Sequence, residues 1–206
     1  MLRILTFTGG FTETNGYLVQ TVEESFVVDA PDGMASWLAD QGVRVSRLLL
    51  THHHFDHVMD AAAIQRGHGA VVHAFAPFSR ELTLEFLMGF VSGSRFEVAD
   101  FTVNEVLEGK SSLQAGGLEW KLDHVPGHSA DSVTFYNEAE HVIFSGDTLM
   151  AGSYGRTDFP GGSQATLMSG IREKLMTLPD GTRLLAGHGP ESTIGWERTT
   201  NPHLQN

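Results

Sequence analysis

Short apolar runs broken by turn residues fill the first part of the chain. They occupy residues 2–7, 17–21 and 26–28, with Gly9-Gly10 and Asn15-Gly16 between them to reverse direction. Residues 32–41 change to helical spacing, with Asp32 near the amino end and Gly42 just past the carboxyl end. A strand at 47–51, an alanine-rich helix at 58–66 and a strand at 70–73 follow. Over 78–91, Leu82, Phe86 and Phe90 recur at i, i+4 and i+8, broadened by Leu87 and Val91. That stripe predicts a helix packed into the core. The wider aromatic stretch 75–96 has two other readings, a roof over a site or a face between two copies. Strands return at 103–107, 118–125, 132–136 and 141–145, then a helix at 164–178 ended by Pro179, then a strand at 182–186. Two strand-rich halves, each followed by helix, predict two β layers stacked inside outer helices, an α/β architecture. With no repeat, linker or low-complexity segment, residues 1–206 are expected to form one domain.

The chemistry concentrates where the strand at 47–51 meets the next helix. Thr-His-His-His-Phe-Asp-His at 51–57 brings His52, His54, Asp56 and His57 together. Zinc, iron and manganese favour that mix of nitrogen and oxygen donors, and a strand-to-helix loop is where open α/β sheets hold ligands. Later strands end in similar places. His128 sits in Pro-Gly-His-Ser, Asp147 in Ser-Gly-Asp-Thr and His188 in Gly-His-Gly-Pro. Each has a glycine beside it, which lets backbone approach a crowded centre. His53 alternates with its neighbours and should point away from them in an extended segment. His68, His73, His124, His141 and His203 lack a partner motif and receive no role.

Charge and composition narrow the partners. Thirteen Lys and Arg against 25 Asp and Glu give a formal charge of -12, with no basic run. Nucleic acid and anionic membrane surfaces are therefore not expected partners. No stretch reaches membrane-spanning length, and residues 1–7 lack the pattern of a signal sequence. Cysteine is absent, which excludes disulfides and thiolate ligands. The expectation is a soluble cytoplasmic protein, monomer or homodimer.

The ordered series His-x-His-x-Asp-His, Gly-His, Gly-Asp-Thr and Gly-His-Gly resembles the metallo-β-lactamase superfamily over nearly the whole chain. The resemblance implies a four-layer αββα sandwich of two mixed β-sheets with outer helices, carrying a dinuclear site at one edge. It implies that His52, His54 and His128 hold one divalent ion and Asp56, His57 and His188 the other, with Asp147 bridging. Zinc comes first among the ions, with iron or manganese accepted by the same donors. The stretch 152–162, Gly-Ser-Tyr-Gly-Arg-Thr-Asp-Phe-Pro-Gly-Gly, and the tail 195–203 are similar to the small members of the glyoxalase II-like branch.

That likeness implies a metal-dependent hydrolase of a small acyl thioester, such as a hydroxyacylglutathione, acting through a metal-bridging hydroxide. Asp56 would orient the nucleophile and Asp147 would set the metal spacing, so both carry the catalytic role. Only 18 residues follow His188, so no counterpart is expected to the helical domain with which larger relatives grip glutathione. Arg156 and Tyr154 are the substrate-binding candidates, Arg156 for a carboxylate; Arg156 could equally make a structural pair with a buried aspartate. Asp29 is either support for a metal-binding histidine or a turn residue before Pro31. Phe11 and Thr12 flank the site by family analogy alone. The competing readings are a mononuclear iron persulfide dioxygenase, a lactonase and, last, a non-catalytic metal-binding module.

Overall fold

Phe26 and Val28 face one way and Val27 the other, and this alternation establishes the layers. The computed structural model describes residues 2–93 and 95–205. One sheet contains β1 (Arg3–Gly9), β2 (Thr14–Gln20), β3 (Ser25–Val28), β4 (Arg47–Leu49), β5 (Val71–Ala74) and β6 (Glu105–Val106), in that order. Its first three strands are antiparallel and β3 to β6 are parallel. The second sheet contains β7 (Ser112–Ala115), β8 (Leu118–His124), β9 (Val133–Asn137), β10 (Val142–Gly146), β11 (Arg183–Ala186) and β12 (Ser192–Thr193). There β7 to β10 are antiparallel, β11 runs parallel to β10, and β12 closes the edge.

Between the sheets, Tyr17, Phe26, Leu49, Trp120, Phe135 and Phe144 form a buried seam. Trp120 lies edge-on to Phe26 at 5.8 Å and donates its indole N–H to the Ala115 carbonyl at 3.1 Å. Outside the first sheet pack α1 (Met34–Asp40), α2 (Phe55–Val58) and α3 (Ala61–His68), through Met34, Leu38, Phe55, Val58 and Ile64. Next along the chain, α4 (Arg80–Thr83) and α5 (Glu85–Ser92) lead toward the site. Outside the second sheet pack α6 (Gln164–Gly170), its π-helical continuation Ile171–Leu175, and α7 (Ile194–Thr200). The fold is the expected αββα sandwich of two mixed sheets.

Three local expectations require correction. The helix expected over 78–91 is two helices, broken at Leu84, whose φ of 57° is left-handed. Its Phe86–Phe90 stripe does not pack: those side chains are 76% and 90% exposed, while Leu84 and Met88 turn inward. The helix expected from 58 begins at Ala61, because residues 55–58 already form the separate turn α2. The helix expected over 32–41 begins only at Met34, after Gly33 with its left-handed φ of 92°, and the Ala35 N–H in its first turn donates to Asp60 Oδ2 at 2.8 Å.

Glu24, just before β3, ties the two sheets together. Its carboxylate accepts from the Gly116 N–H at 2.6 Å, from Arg47 Nε at 3.1 Å and from Ser46 Oγ. Burial alone would raise its pKa, but these donors hold it below the usual carboxylate range. A depressed folded-state pKa gives stability that is present above the unfolded value and lost as pH falls through the folded one. Glu24→Gln is expected to cost about 1 kcal/mol at pH 7 for this partly exposed group. In urea melts the gap from wild type should narrow as pH falls below the ordinary carboxylate range; a gap unchanged with pH would contradict the role.

Candidate metal centre

Every candidate ligand lies beyond the carboxyl end of a strand, and those ends meet at one edge of the sandwich. The loop after β4 carries His52, His54, Asp56 and His57; β8, β10 and β11 lead into His128, Asp147 and His188. Three groups have donor atoms within 4.8 Å of one another: His52, His54 and His128; His52, His57 and Asp147; Asp56, His57 and His188. Asp147 lies between the outer two. Its Oδ2 is 3.4 Å from both His128 Nε2 and His188 Nε2, and its Oδ1 is 3.4 Å from His57 Nε2. Asp56 Oδ2 lies 3.3 Å from His188 Nε2. The structure therefore brings together all seven residues that the sequence nominated.

The surroundings aim four of the rings. His57 Nδ1 meets Asp29 Oδ2 at 2.8 Å, and His52 Nδ1 meets Thr51 Oγ1 at 3.1 Å. His128 Nδ1–H donates to the Arg156 carbonyl at 2.7 Å and His188 Nδ1–H to the Thr12 carbonyl at 3.1 Å. With Nδ1 engaged, each ring presents Nε2 to the cluster, the tautomer a metal requires. Asp29 thus supports a candidate ligand, His57, and is not a simple turn residue. Its carboxylate also accepts from the Thr51 N–H and hydroxyl, both at 2.8 Å, and its own φ of 58° is left-handed. Asp tolerates that conformation better than most residues, at about 1 kcal/mol.

Burial and charge prepare the centre for cations. Burial first, then the neighbouring imidazoles, lowers His52; burial and His128 bring His54 down to about 3. Burial pulls on His57 and His188 in the same direction, but adjacent carboxylates outweigh it. Asp147, Asp29 and Asp56 raise His57, and hydrogen bonds to Asp147 and Asp56 raise His188 to about 10. In return, the two imidazoles overcome burial to hold Asp56 and Asp147 well below the ordinary range. Protons on His57 and His188 therefore compete with a bound cation for the same carboxylates.

His52 Nε2, His57 Nε2, His128 Nε2 and Asp147 Oδ1 are buried with no hydrogen-bond partner among the described residues. Unmade bonds of this kind cost about 1–3 kcal/mol each, and divalent ions satisfy all four at once. The donors are imidazole nitrogens and carboxylate oxygens, which suit zinc, iron or manganese. The residues fit such ions.

The cluster opens into a cavity of about 380 Å³. Phe55, Leu84, Met88, Met150 and Phe159 give it apolar walls, with Thr12, Tyr154 and Arg156 also on the lining. Tyr154 accepts from Gln164 Nε2 at 2.6 Å. The Arg156 guanidinium is already engaged. It grips Asp158 through Nε and Nη2 at 2.7 and 2.6 Å and lies 4.2 Å over the Phe159 ring. Asp158 is exposed, not the buried aspartate of the alternative reading, and the fixed contribution of Arg156 is its carbonyl on His128. Phe11 is 77% exposed, and only Thr12 of that pair lines the cavity.

Sequence reading missed Thr14 and Asn15. Thr14 Oγ1 donates to Asp56 Oδ2 at 2.9 Å. The Asn15 side-chain amide donates to the carbonyls of Ala186 and Gly189, at 3.1 and 2.9 Å, on either side of His188. Their signal was hidden because β2 begins at Thr14, before the apolar run that announces the strand.

The comparisons agree with this geometry. Hydroxyacylglutathione hydrolase GloC of Haemophilus influenzae is 33% identical over 202 residues, 93% of each chain. The crystal structure of BLEG-1 B3 metallo-beta-lactamase superposes with a TM-score of 0.87 at 30% identity, covering 99% of this chain and all of that one. TTHA1623, solved in a di-iron-bound form, gives 0.82 at 31%, covering 97% of this chain and all of that one. The model of one family spans residues 9–188, from the end of β1 to the last candidate ligand, and by it the chain belongs to the metallo-beta-lactamase superfamily.

Proposed function

We propose that this metal-dependent hydrolase cleaves small acyl thioesters, with two divalent ions at the candidate centre. The observation that carries the proposal is the complete donor set, two trios joined through Asp147, opening into a mostly apolar cavity. His52, His54 and His128 would hold one ion and Asp56, His57 and His188 the other. When bound, such ions supply Lewis acidity and a water activated near neutral pH. The chain's own groups do the rest. Thr14 fixes the Asp56 carboxylate, Asp29 fixes His57, and the Arg156 and Thr12 carbonyls fix His128 and His188.

Leu84, Met88, Met150 and Phe159 provide an apolar wall for the acyl part. Apart from the candidate ligands, Tyr154 and Arg156 are the only titratable side chains among the described lining residues. A leaving group that departs without a strong general acid fits that inventory, and a thiolate is one. The likeness to GloC supports the same substrate class. Arg156 stays a candidate for a substrate carboxylate through an exchange with exposed Asp158. Tyr154 stays a candidate beside it. Zinc is the first ion to test, with iron or manganese as alternatives, and the partner is a small molecule, with neither nucleic acid nor membrane involved. Among the described residues no helix is long and apolar enough to cross a membrane.

Metal analysis paired with activity tests the proposal. About two equivalents of divalent ion with hydrolysis of lactoylglutathione are expected, and His54→Ala should abolish turnover. One iron with persulfide-dependent oxygen uptake would overturn it. Turnover of lactones or β-lactams alone would move the substrate class away from thioesters.

A further inference from the structure

His53 stands among the candidate ligands but faces away from them. Its ring is fully buried, stacked on Phe101 at 5.9 Å and 12°, with Phe78 against it at 6.3 Å. Its Nδ1 meets Asp131 Oδ2 at 2.5 Å, and Ser129 Oγ donates to Asp131 Oδ1 at 2.5 Å. Asp131 and Ser129 are buried as well. Burial would raise the Asp131 pKa, yet His53 and Ser129 hold it low, so the carboxylate is charged. This network joins two loops distant in sequence, the His52–His54 loop of the first sheet and the His128 loop between β8 and β9 of the second. Those loops bring three rings together: His128 lies 4.9 Å from His52 and 4.4 Å from His54. The Val133 N–H to the Thr51 carbonyl, at 2.8 Å, is a second tie between the same segments.

We propose that the His53–Asp131–Ser129 network is a latch that positions His128 against His52 and His54, and so sets the geometry of one ion site and leaves the other alone. Well-packed apolar side chains would fill this buried space at least as stably, so bulk stability gives no reason for a hydrogen-bonded polar network here. Directional bonds with fixed partners define the spacing between two separately folded loops. The Phe78–Phe101 wall keeps water from competing for those bonds. His53 and Asp131 are positioning residues: neither faces the cavity or belongs to the three donor groups. The latch rests on the two-ion reading of the centre.

The two readings fail separately under a cobalt(II) titration of the purified protein, followed by its visible spectrum and by competition with a chromophoric chelator. Wild type is expected to take two ions. Asp131→Ala should lose 10- to 100-fold in affinity for one ion and keep the other. Asp131→Asn, which preserves volume and part of the hydrogen bonding, should fall between them and guards against a failure of the alanine variant to fold. Leu175→Ala, buried on the far side of the second sheet, is the comparison for general destabilisation and should retain both affinities. Equal weakening of both ions, or a loss no larger than that in Leu175→Ala, would overturn the latch. A wild type that binds no cobalt would overturn the two-ion centre itself.

Discussion

Asp147→Ala is expected to lower kcat/KM by about 10³-fold or more, roughly 4 kcal/mol of transition-state stabilisation, and to reduce bound metal below two equivalents. Among the described residues, Asp147 is the one carboxylate in contact with both outer trios, through His128 on one side and His57 and His188 on the other. Its removal would leave Asp56 as the one carboxylate, beside five imidazoles, in the candidate donor set. It also removes the carboxylate that contributes most among charged neighbours to raising His57. Asp147→Asn separates shape from charge. The amide keeps the volume, but its NH2 faces histidine nitrogens as a donor where an acceptor stood, so it should be nearly as damaging. Metal analysis after dialysis, with turnover at saturating metal, checks both variants. An Ala variant that keeps two tightly bound ions and wild-type turnover would remove Asp147 from the centre.

The candidate ligands were legible because each is a donor-bearing side chain in a loop after an apolar run, four of them in one histidine-rich heptad and the other three beside glycines. Strand-end loops are where α/β sheets converge, so short patterns specified a long-range arrangement. Supporting groups gave no such notice. Asp29 stood in the sequence as a turn residue as readily as a ligand's partner, and only the approach of β3 to the His57 loop decided it. Thr14 has a role only because β2 extends back past its apolar residues to reach Asp56.

The α5 stripe misled for a related reason. Apolar residues at helical spacing normally mark the buried face, but here Leu84 interrupts the helix with a left-handed residue and rotates Phe86 and Phe90 outward. The strands β7 and β12 were too short and too polar for alternation to reveal, and α7 was read only as part of a family-like tail. Arg156 shows the limit from the other side. Its residue type pointed to a carboxylate partner, and the structure supplies one two positions away, in Asp158.

Gly187→Ala is expected to disable the centre with a single methyl group. A Cβ at Gly187 would stand 2.2 Å from Asp147 Oδ1 and 2.5 Å from His57 Cε1, two donors of one group. The backbone has little freedom to retreat. The Gly187 N–H donates to the Gly146 carbonyl at 2.9 Å, and its carbonyl accepts from the Asn15 N–H at 2.7 Å. The side chains must therefore yield, and displacement of this size is enough to spoil a reactive arrangement by about 10²-fold. The stability cost should remain within about 1–3 kcal/mol, typical of overpacking, so the variant should fold. Gly67→Ala in α3 is the matched control: its Cβ meets nothing within 4 Å, and the substitution should stabilise the helix by about 0.5–1 kcal/mol. Far-UV circular dichroism and melts should show both variants folded, with metal binding and turnover lost in Gly187→Ala alone. Full metal binding by a folded Gly187→Ala variant would mean that Asp147 and His57 have room to move, and that the centre is less closely packed than these distances require.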